Sequence, residues 1–472
     1  MVFSSIVFLY FFLPLFLICF YLLGRSKYVT LVFSLAFYAW GEPVYILLLL
    51  SSIALNYWLG LRIDAQDDAP TRRRLLIVGL CVNLGLLIIF KYGGFLLQNL
   101  ALVLRISADR WSHLSPVLPL GISFYTFHIL SYLIDVYRRD VPAERSLRDL
   151  TLYVSMFPQL VAGPIVRYKF IATELHKPVV SSQRASAGIR VFVIGLAQKV
   201  LIANTLAASV DLIFALPSEQ LSGVLAWVGI GLYTLQIYFD FGGYSLMAIG
   251  LALMMGFTFP ANFNYPYMAL SITDFWRRWH MSLSTWFRDY LYIPLGGNRG
   301  SEIQTYRNLV IVFLLCGIWH GASWTFVVWG LLHGLFLVAE RAGFGAALSR
   351  LPVLLRSGYT LLVVVIAWVF FRADTLGQAL GFLAAMSGFG PSTPLAPELS
   401  LFLGLDVALA LAAAIFAIGP HGQLAIDKLS GALNRQWFAV DMLRIAGLVA
   451  MLGLVTLGLA SGAYNPFIYF RF

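Results

Sequence analysis

The chain has 472 residues, of which 60% are hydrophobic and 11% charged, where soluble globular proteins carry about 25% charged residues. That balance excludes a soluble domain. The 32 Lys and Arg against 22 Asp and Glu leave a net charge of +10, which in so apolar a chain reports membrane topology rather than a nucleic-acid partner.

A helical span takes about 20 apolar residues, so the composition allows at most roughly 14, and loops bring the expectation to roughly ten to twelve helical segments. Unbroken runs such as 221–239 point to helices rather than to the short alternating strands of a barrel. The expected fold class is all-α: a polytopic membrane protein, one integral domain over residues 1–472, with re-entrant pieces. Cys19, Cys81 and Cys316 sit inside apolar runs without paired spacing, so neither a disulfide frame nor a metal site is expected.

In chain order, Ser4 to Leu23 reads as a permanent first span with its N-terminus outside, since no basic residue precedes it and no cleavage site follows. Val29 to Leu61 is too long for one helix, and Gly41-Glu42-Pro43 breaks it into a hairpin. Leu75 to Leu104 should form one segment bent at Gly93-Gly94, reaching an outer loop around Trp111 to Pro116, with Leu118 to Val136 returning. Leu150 to Pro164 is short and carries Pro158, Gly163 and Pro164, which suits a re-entrant element packed within protein. Val191 to Leu216 and Leu221 to Phe241 make the next pair, and the polar stretch Pro260 to Arg307 lies inside. Leu309 to His320 and Trp324 to Ala339 are divided by Gly321-Ala322-Ser323. Tyr359 to Phe389, a loop at Pro391 to Pro397, Leu401 to Ile418 and Ile445 to Leu459 complete the chain. Basic clusters near Lys27, Arg74, Arg148, Arg277 to Arg307, Arg341 to Arg356 and Lys428 to Arg444 mark cytoplasmic loops.

Ionisable groups within spans are costly and mark functional candidates. His128, Tyr132 and Asp135 share one helical face, as do Tyr233, Gln236, Asp240 and Tyr244. Each stripe serves either interhelical hydrogen bonding or catalysis. Asp240, placed at the cytoplasmic end of its helix, calls for a cation or hydroxyl partner. His320, between Trp319 and Gly321 in an apolar context, is the strongest single candidate. Gly317 and Gly321 thin the helix around its imidazole and would let a substrate approach. His333 lies thirteen residues on, without ligand spacing, so general-base work is a better reading than zinc.

In the inner loop, a helix capped by Thr273, with an Asp274–Arg278 pair, would place Trp276, His280 and Ser284 on one face at the membrane interface. Gly296-Gly297-Asn298-Arg299-Gly300 offers a backbone nest for an anion. Arg277, Arg278 and Arg299 supply charge for the phosphates of a donor; anchoring to anionic lipid is the other reading.

These residues carry a resemblance. Tyr238-Phe239-Asp240-Phe241 through Asn264-Tyr265-Pro266-Tyr267, Ser271 to Gly300 and Gly317 to His333 resemble the membrane-bound O-acyltransferase superfamily. More closely, they are similar to its bacterial polysaccharide O-acetylation branch, of the alginate type. Leu118 to Tyr125, Phe157 to Pro164, the opening Met1 to Ser5 and the closing Pro466 to Phe470 share that likeness, which is densest over 118–340. One departure is Leu246, where alginate-type relatives carry an acidic residue.

The resemblance implies a ring of helices around a thinned central funnel. It matches His320 to the family's essential intramembrane histidine and His280 to a second polar position, with Asp240, Tyr244 and Trp319 in support. It implies a multi-pass protein of the bacterial inner membrane, with no bound cofactor and acetyl-CoA or another acyl thioester as donor. The acceptor would be an exported polysaccharide such as alginate or cellulose, reached through a periplasmic acetyltransferase partner and an exopolysaccharide synthesis complex. The competing class is a flippase for a lipid-linked sugar or acyl carrier. It would show matched internal repeats, and the sequence shows none.

Overall fold

The computed structural model describes residues 2–106, 116–389, 397–420, 437–462 and 464–466. Among them every regular element is helical. Among the described residues seven helices are long and apolar enough to cross a membrane, and three shorter apolar helices, Phe8–Leu22, Leu376–Met386 and Leu405–Ala417, join them. Large apolar side chains such as Leu102, Val103, Leu409 and Leu457 stand exposed on these helices, as expected where lipid rather than water is the solvent. The chain is an all-α polytopic membrane protein. Sites expected at residues 111–115, 391–396, 428, 435 and 467–470 lie outside the described residues.

The chain divides into two compact units, residues 1–192 with 247–260 and residues 193–246 with 261–472. In the first, Ser26 caps the helix Lys27–Gly41 and the chain breaks before Tyr45–Asp64, the expected hairpin. Asp68 caps Ala69–Leu87, and a π-helical turn at Ile88–Tyr92 leads into Gly93–Leu104. Asn56 and Asn83, both buried, hydrogen-bond between neighbouring helices at 2.8 Å. The expected re-entrant stretch folds as two short buried helices, Leu147–Ser155 and Phe157–Leu160.

The His128 stripe lies in this unit, on the buried helix Ile122–Arg138. Tyr132 Oη accepts from the Glu144 amide at 3.2 Å, Asp135 lies 3.8 Å from Lys169 Nζ, and the His128 ring packs on Tyr153. Of the two readings, these contacts carry the interhelical one.

Three boundaries differ from expectation. Leu221 to Phe241 is not the end of its helix: Gly223–Met255 continues past Asp240. Asp240 is therefore mid-helix, and its partner is Lys199, 2.6 Å away on the π-helical turn Gln198–Ala203, with both side chains buried. Lys199 also donates to Asn204 at 2.7 Å and to the Pro466 carbonyl. The helices approach closely enough for this because Gly243 lacks a side chain; a Cβ there would lie 2.6 Å from the Gly195 carbonyl oxygen. Tyr359 to Phe389 is likewise two helices, Val353–Arg372 and Leu376–Met386, because Thr375 caps the second. Glu302–His320 begins about two turns earlier than the apolar run, at a reciprocal Ser301–Gln304 capping box.

A buried ion pair is far more sensitive to losing one partner than both. Lys199→Met should destabilise the protein by about 3–5 kcal/mol, and the double variant Lys199→Met/Asp240→Leu should recover most of that loss. Thermal unfolding in detergent reads both; no recovery in the double variant would deny the pair its structural role.

Candidate active site

All of the following geometry lies within the second unit. The helix Glu302–His320 stops at His320 because Gly321 is extended, with φ −167° and ψ 153°, and Ser323 caps Trp324–Ala339 by accepting from the Thr325 amide. The break occurs where the sequence placed it. It leaves the imidazole at a helix C-terminus, 3% exposed, where unpaired carbonyls favour positive charge.

The flanking glycines do not open room for a substrate, contrary to expectation. A Cβ on Gly317 would lie 2.3 Å from the Phe326 carbonyl oxygen, and one on Gly321 would lie 2.2 Å from the Phe326 ring. Both glycines let the two helices abut. The space beside His320 is instead a narrow aromatic void shared with Phe241, Trp279, Trp329, Trp368 and Phe371, with room for about one water-sized molecule. Ring centroids of Trp329 and Phe371 stand 5.0 and 5.2 Å from that of His320. The Trp329 indole N–H is buried without an acceptor among the described residues.

His280 corrects the interfacial-helix expectation. The loop forms two short helices, Ile272–Trp276 and Met281–Phe287, and His280 sits between them in the left-handed region with φ 43°. Ser271, not Thr273, caps the first, while the Asp274–Arg278 pair forms at 2.9 Å as expected. The cause of the break is residues 262–264. The Asn264 amide donates to the Arg278 carbonyl and the Met281 amide to the Asn262 carbonyl, both at 2.9 Å.

This backbone clamp draws His280 fully out of solvent, with its ring centroid 6.4 Å from that of His320 and 6.1 Å from that of Trp319. Trp319 packs at 4.9 Å from His320, so one indole contacts both imidazoles.

The Asn262 side chain sets the tautomer. Its Nδ2 donates to Ser245 Oγ at 3.0 Å, and its Oδ1 accepts from the Ser282 amide at 3.3 Å and hydroxyl at 2.9 Å. That oxygen lies 3.0 Å from His280 Nδ1, so Nδ1 carries the proton and Nε2 is left as a lone pair. Nε2 has no partner among the described residues. Burial pushes the His280 pKa down to about 3, so the ring is neutral.

Other expected residues are placed differently. Asp240 is occupied by Lys199, and Tyr244, one turn on, is buried. Arg278 is held by Asp274 and by the Asn264 carbonyl, whereas Arg277 and Arg299 are exposed. The expected glycine nest is closed, since the amides of Gly296, Gly297 and Arg299 donate to the carbonyls of Ile293, Tyr292 and Gly296. His333 accepts from Trp276 Nε1 at 3.2 Å and packs in the aromatic cluster, and no metal-ligand cluster includes it among the described residues. Asn262, Trp329, Trp368 and Phe371 were missed in the sequence; the polar run Asn262-Phe263-Asn264 after an apolar helix was the available signal.

The site is that of a helical membrane protein with one buried imidazole, His320, on an aromatic void and a second, His280, beside it. The comparisons give the family: the model of MBOAT, the membrane-bound O-acyltransferase family, matches residues 91–372. The chain is 42% identical over 502 aligned residues, covering 100% of both sequences, to the probable alginate O-acetylase AlgI of Azotobacter vinelandii. It is 48% identical to the probable alginate O-acetylase AlgI of Pseudomonas aeruginosa over 83% of this chain and 75% of that one. It is 38% identical to the peptidoglycan O-acetyltransferase of Helicobacter pylori over 82% and 80%. The chain belongs to the membrane-bound O-acyltransferase family, in the branch of the alginate O-acetylases, and is an O-acyltransferase.

Asn262→Leu should leave buried donors of Ser282 and His280 unsatisfied, costing about 1–3 kcal/mol for each group so stranded, and should lower acyl transfer. Asn262→Asp, which keeps the accepting oxygen, should retain more of both. Equal activity of the two variants at matched folded protein would detach Asn262 from His280.

Proposed function

We propose that the protein takes an acetyl group from a cytoplasmic thioester, acetyl-CoA, and delivers it across the bacterial inner membrane for O-acetylation of an exported polysaccharide. The observation that carries this reading is His320, at a helix break, opening onto a void lined by a free indole N–H and accompanied by a second, neutral imidazole. Relatives named as alginate and peptidoglycan O-acetyltransferases support an acetyl donor and a glycan acceptor. A periplasmic acetyltransferase partner working with a polysaccharide synthesis complex would complete the route outside.

In the reaction, His320 takes the proton of an acceptor hydroxyl as its oxygen attacks the thioester carbonyl carbon. The C–S bond then breaks, the new C–O ester bond remains, and the thiolate takes the proton from the imidazolium to leave as a thiol. The C-terminal carbonyls of Glu302–His320 favour that transient cation, and the Trp329 N–H is a donor for the oxyanion. His280 Nε2, a lone pair, orients the hydroxyl. Arg277 and Arg299 remain available to donor phosphates on the cytoplasmic face.

His320→Ala should abolish acetyl transfer from acetyl-CoA by purified protein while leaving yield and insertion intact. His280→Ala, expected to be milder from an interfacial position, should now fall within tenfold of His320→Ala, because the two rings share one cluster and act as a unit. Near-normal transfer by His320→Ala at matched protein level would remove it as the base.

The direction of transfer depends on topology. Reporters fused after Lys27, Arg74, Arg148 and Gly300 should all read cytoplasmic. A periplasmic reading at Gly300 would overturn donor entry beside Arg277 and Arg299.

A further inference from the structure

A second cavity, of about 320 Å³, lies at the end of Trp324–Ala339 away from His320. That helix has 16 residues, so the two places are separated along it by about 24 Å. The cavity draws Ser271, Thr273 and Tyr292 from one stretch of chain and Glu340, Arg341 and Arg356 from another. Its volume is within the range of small-molecule sites.

The charges here do not cancel. The Glu340 carboxylate is already met by the Ile272 amide at 2.6 Å, the Thr273 amide at 2.9 Å, the Thr273 hydroxyl at 2.6 Å and the Tyr359 hydroxyl at 3.3 Å. It ties the 271–276 turn to the end of the Trp324–Ala339 helix, and among the described residues no arginine pairs with it. Arg341 and Arg356 have no ion-pair partner among the described residues. Arg356 is half-buried, and its Nε is sealed from solvent without a hydrogen-bond acceptor.

Several other arginines do have carboxylate partners, among them Arg278 with Asp274, Arg145 with Asp64 and Arg372 with Asp211. A guanidinium desolvated on its inner edge and left unpaired is costly unless an anion completes it. The planar fork of arginine matches phosphate in particular.

We infer that this cavity binds a phosphate ester, held by Arg341 and Arg356 with the Ser271 and Tyr292 hydroxyls on the same wall. Two ligands bring that group to the basic, cytoplasmic face: the nucleotide end of an acyl thioester donor, and an anionic phospholipid headgroup. The donor alternative rests on the acyl-transfer reading above, and the lipid alternative does not. For the donor, a nucleotide phosphate fixed one helix length from His320 leaves the extended pyrophosphate and pantetheine together to run the distance to the imidazole.

The test uses full-length protein in nanodiscs of phosphatidylcholine, titrated with adenosine 3′,5′-bisphosphate, and native mass spectrometry of protein purified with phosphatidylglycerol. The variant is Arg341→Gln/Arg356→Gln, with Arg350→Gln, an exposed neighbour, as the control for lost surface charge. Monodisperse elution and an unchanged melting temperature establish folding, and Arg356→Lys serves if the double variant fails to fold. A loss of bisphosphate affinity of at least tenfold, absent in Arg350→Gln, assigns the cavity to the donor. Loss of retained phosphatidylglycerol with bisphosphate binding unaltered assigns it to lipid. Unchanged binding of both, or loss matched by Arg350→Gln, overturns the site. His320→Ala should keep whichever ligand binds while losing transfer, so a failure of the cavity and a failure of the catalytic reading give different results.

Discussion

The break between Glu302–His320 and Trp324–Ala339 is the constraint on which the site depends. Helix ends at membrane depth expose backbone groups that water cannot satisfy, so an interruption there survives only if both ends are covered. Ser323 supplies the cap on one side. On the other, Gly317 meets Gly330 with Cα-level contact, 3.1 Å from a notional Cβ, so that the two helices seal each other. A residue larger than glycine would push them apart and strand the carbonyls around His320. The imidazole is held by backbone economy before any side-chain contact is counted.

His280 is held by a different device with the same consequence. Its left-handed backbone is a conformation that non-glycine residues seldom adopt without compensation. The compensation is visible: residues 262–264 pair with the backbone on both sides of it, and Asn262 spends its whole amide on Ser245, Ser282 and the ring. Ser245 stands on Gly223–Met255 one turn from Asp240, whose pair with Lys199 locks that helix to its neighbour. Strain at one residue is therefore distributed over two loops and two spans.

Much of this was legible in the sequence, for physical reasons that also explain what was not. The hairpin break at Gly41-Glu42-Pro43, the interruption after His320 and the need of Asp240 for a cation follow from local rules of backbone and desolvation. The continuation of Gly223–Met255 was hidden because a carboxylate ends an apolar run on paper, whereas Lys199 neutralises it from forty-one residues away. The Trp276, His280 and Ser284 stripe fitted helical spacing, yet Asn262 broke the helix by competing for its backbone. Gly317 and Gly321 were recognised as places of close approach, but sequence cannot say whether ligand or chain does the approaching. The Arg341 and Arg356 cavity had only a cluster of basic residues to announce it, since topology alone accounts for such clusters.

The asymmetry of the two imidazoles limits which proton transfers the site can perform. With Nδ1–H committed to Asn262, neutral His280 presents only an acceptor. It cannot stabilise an oxyanion, and burial opposes its becoming a cation. In the proposed reaction that leaves oxyanion stabilisation to an N–H such as Trp329, which never changes protonation, and leaves transient positive charge to His320, at the helix end where carbonyl dipoles tolerate it. In the proposed reaction one ring therefore carries the proton, while the other holds the hydroxyl hydrogen in line for it. Substituting one ring for the other in that scheme would require Asn262 to release its hydrogen bond, which its three other contacts oppose.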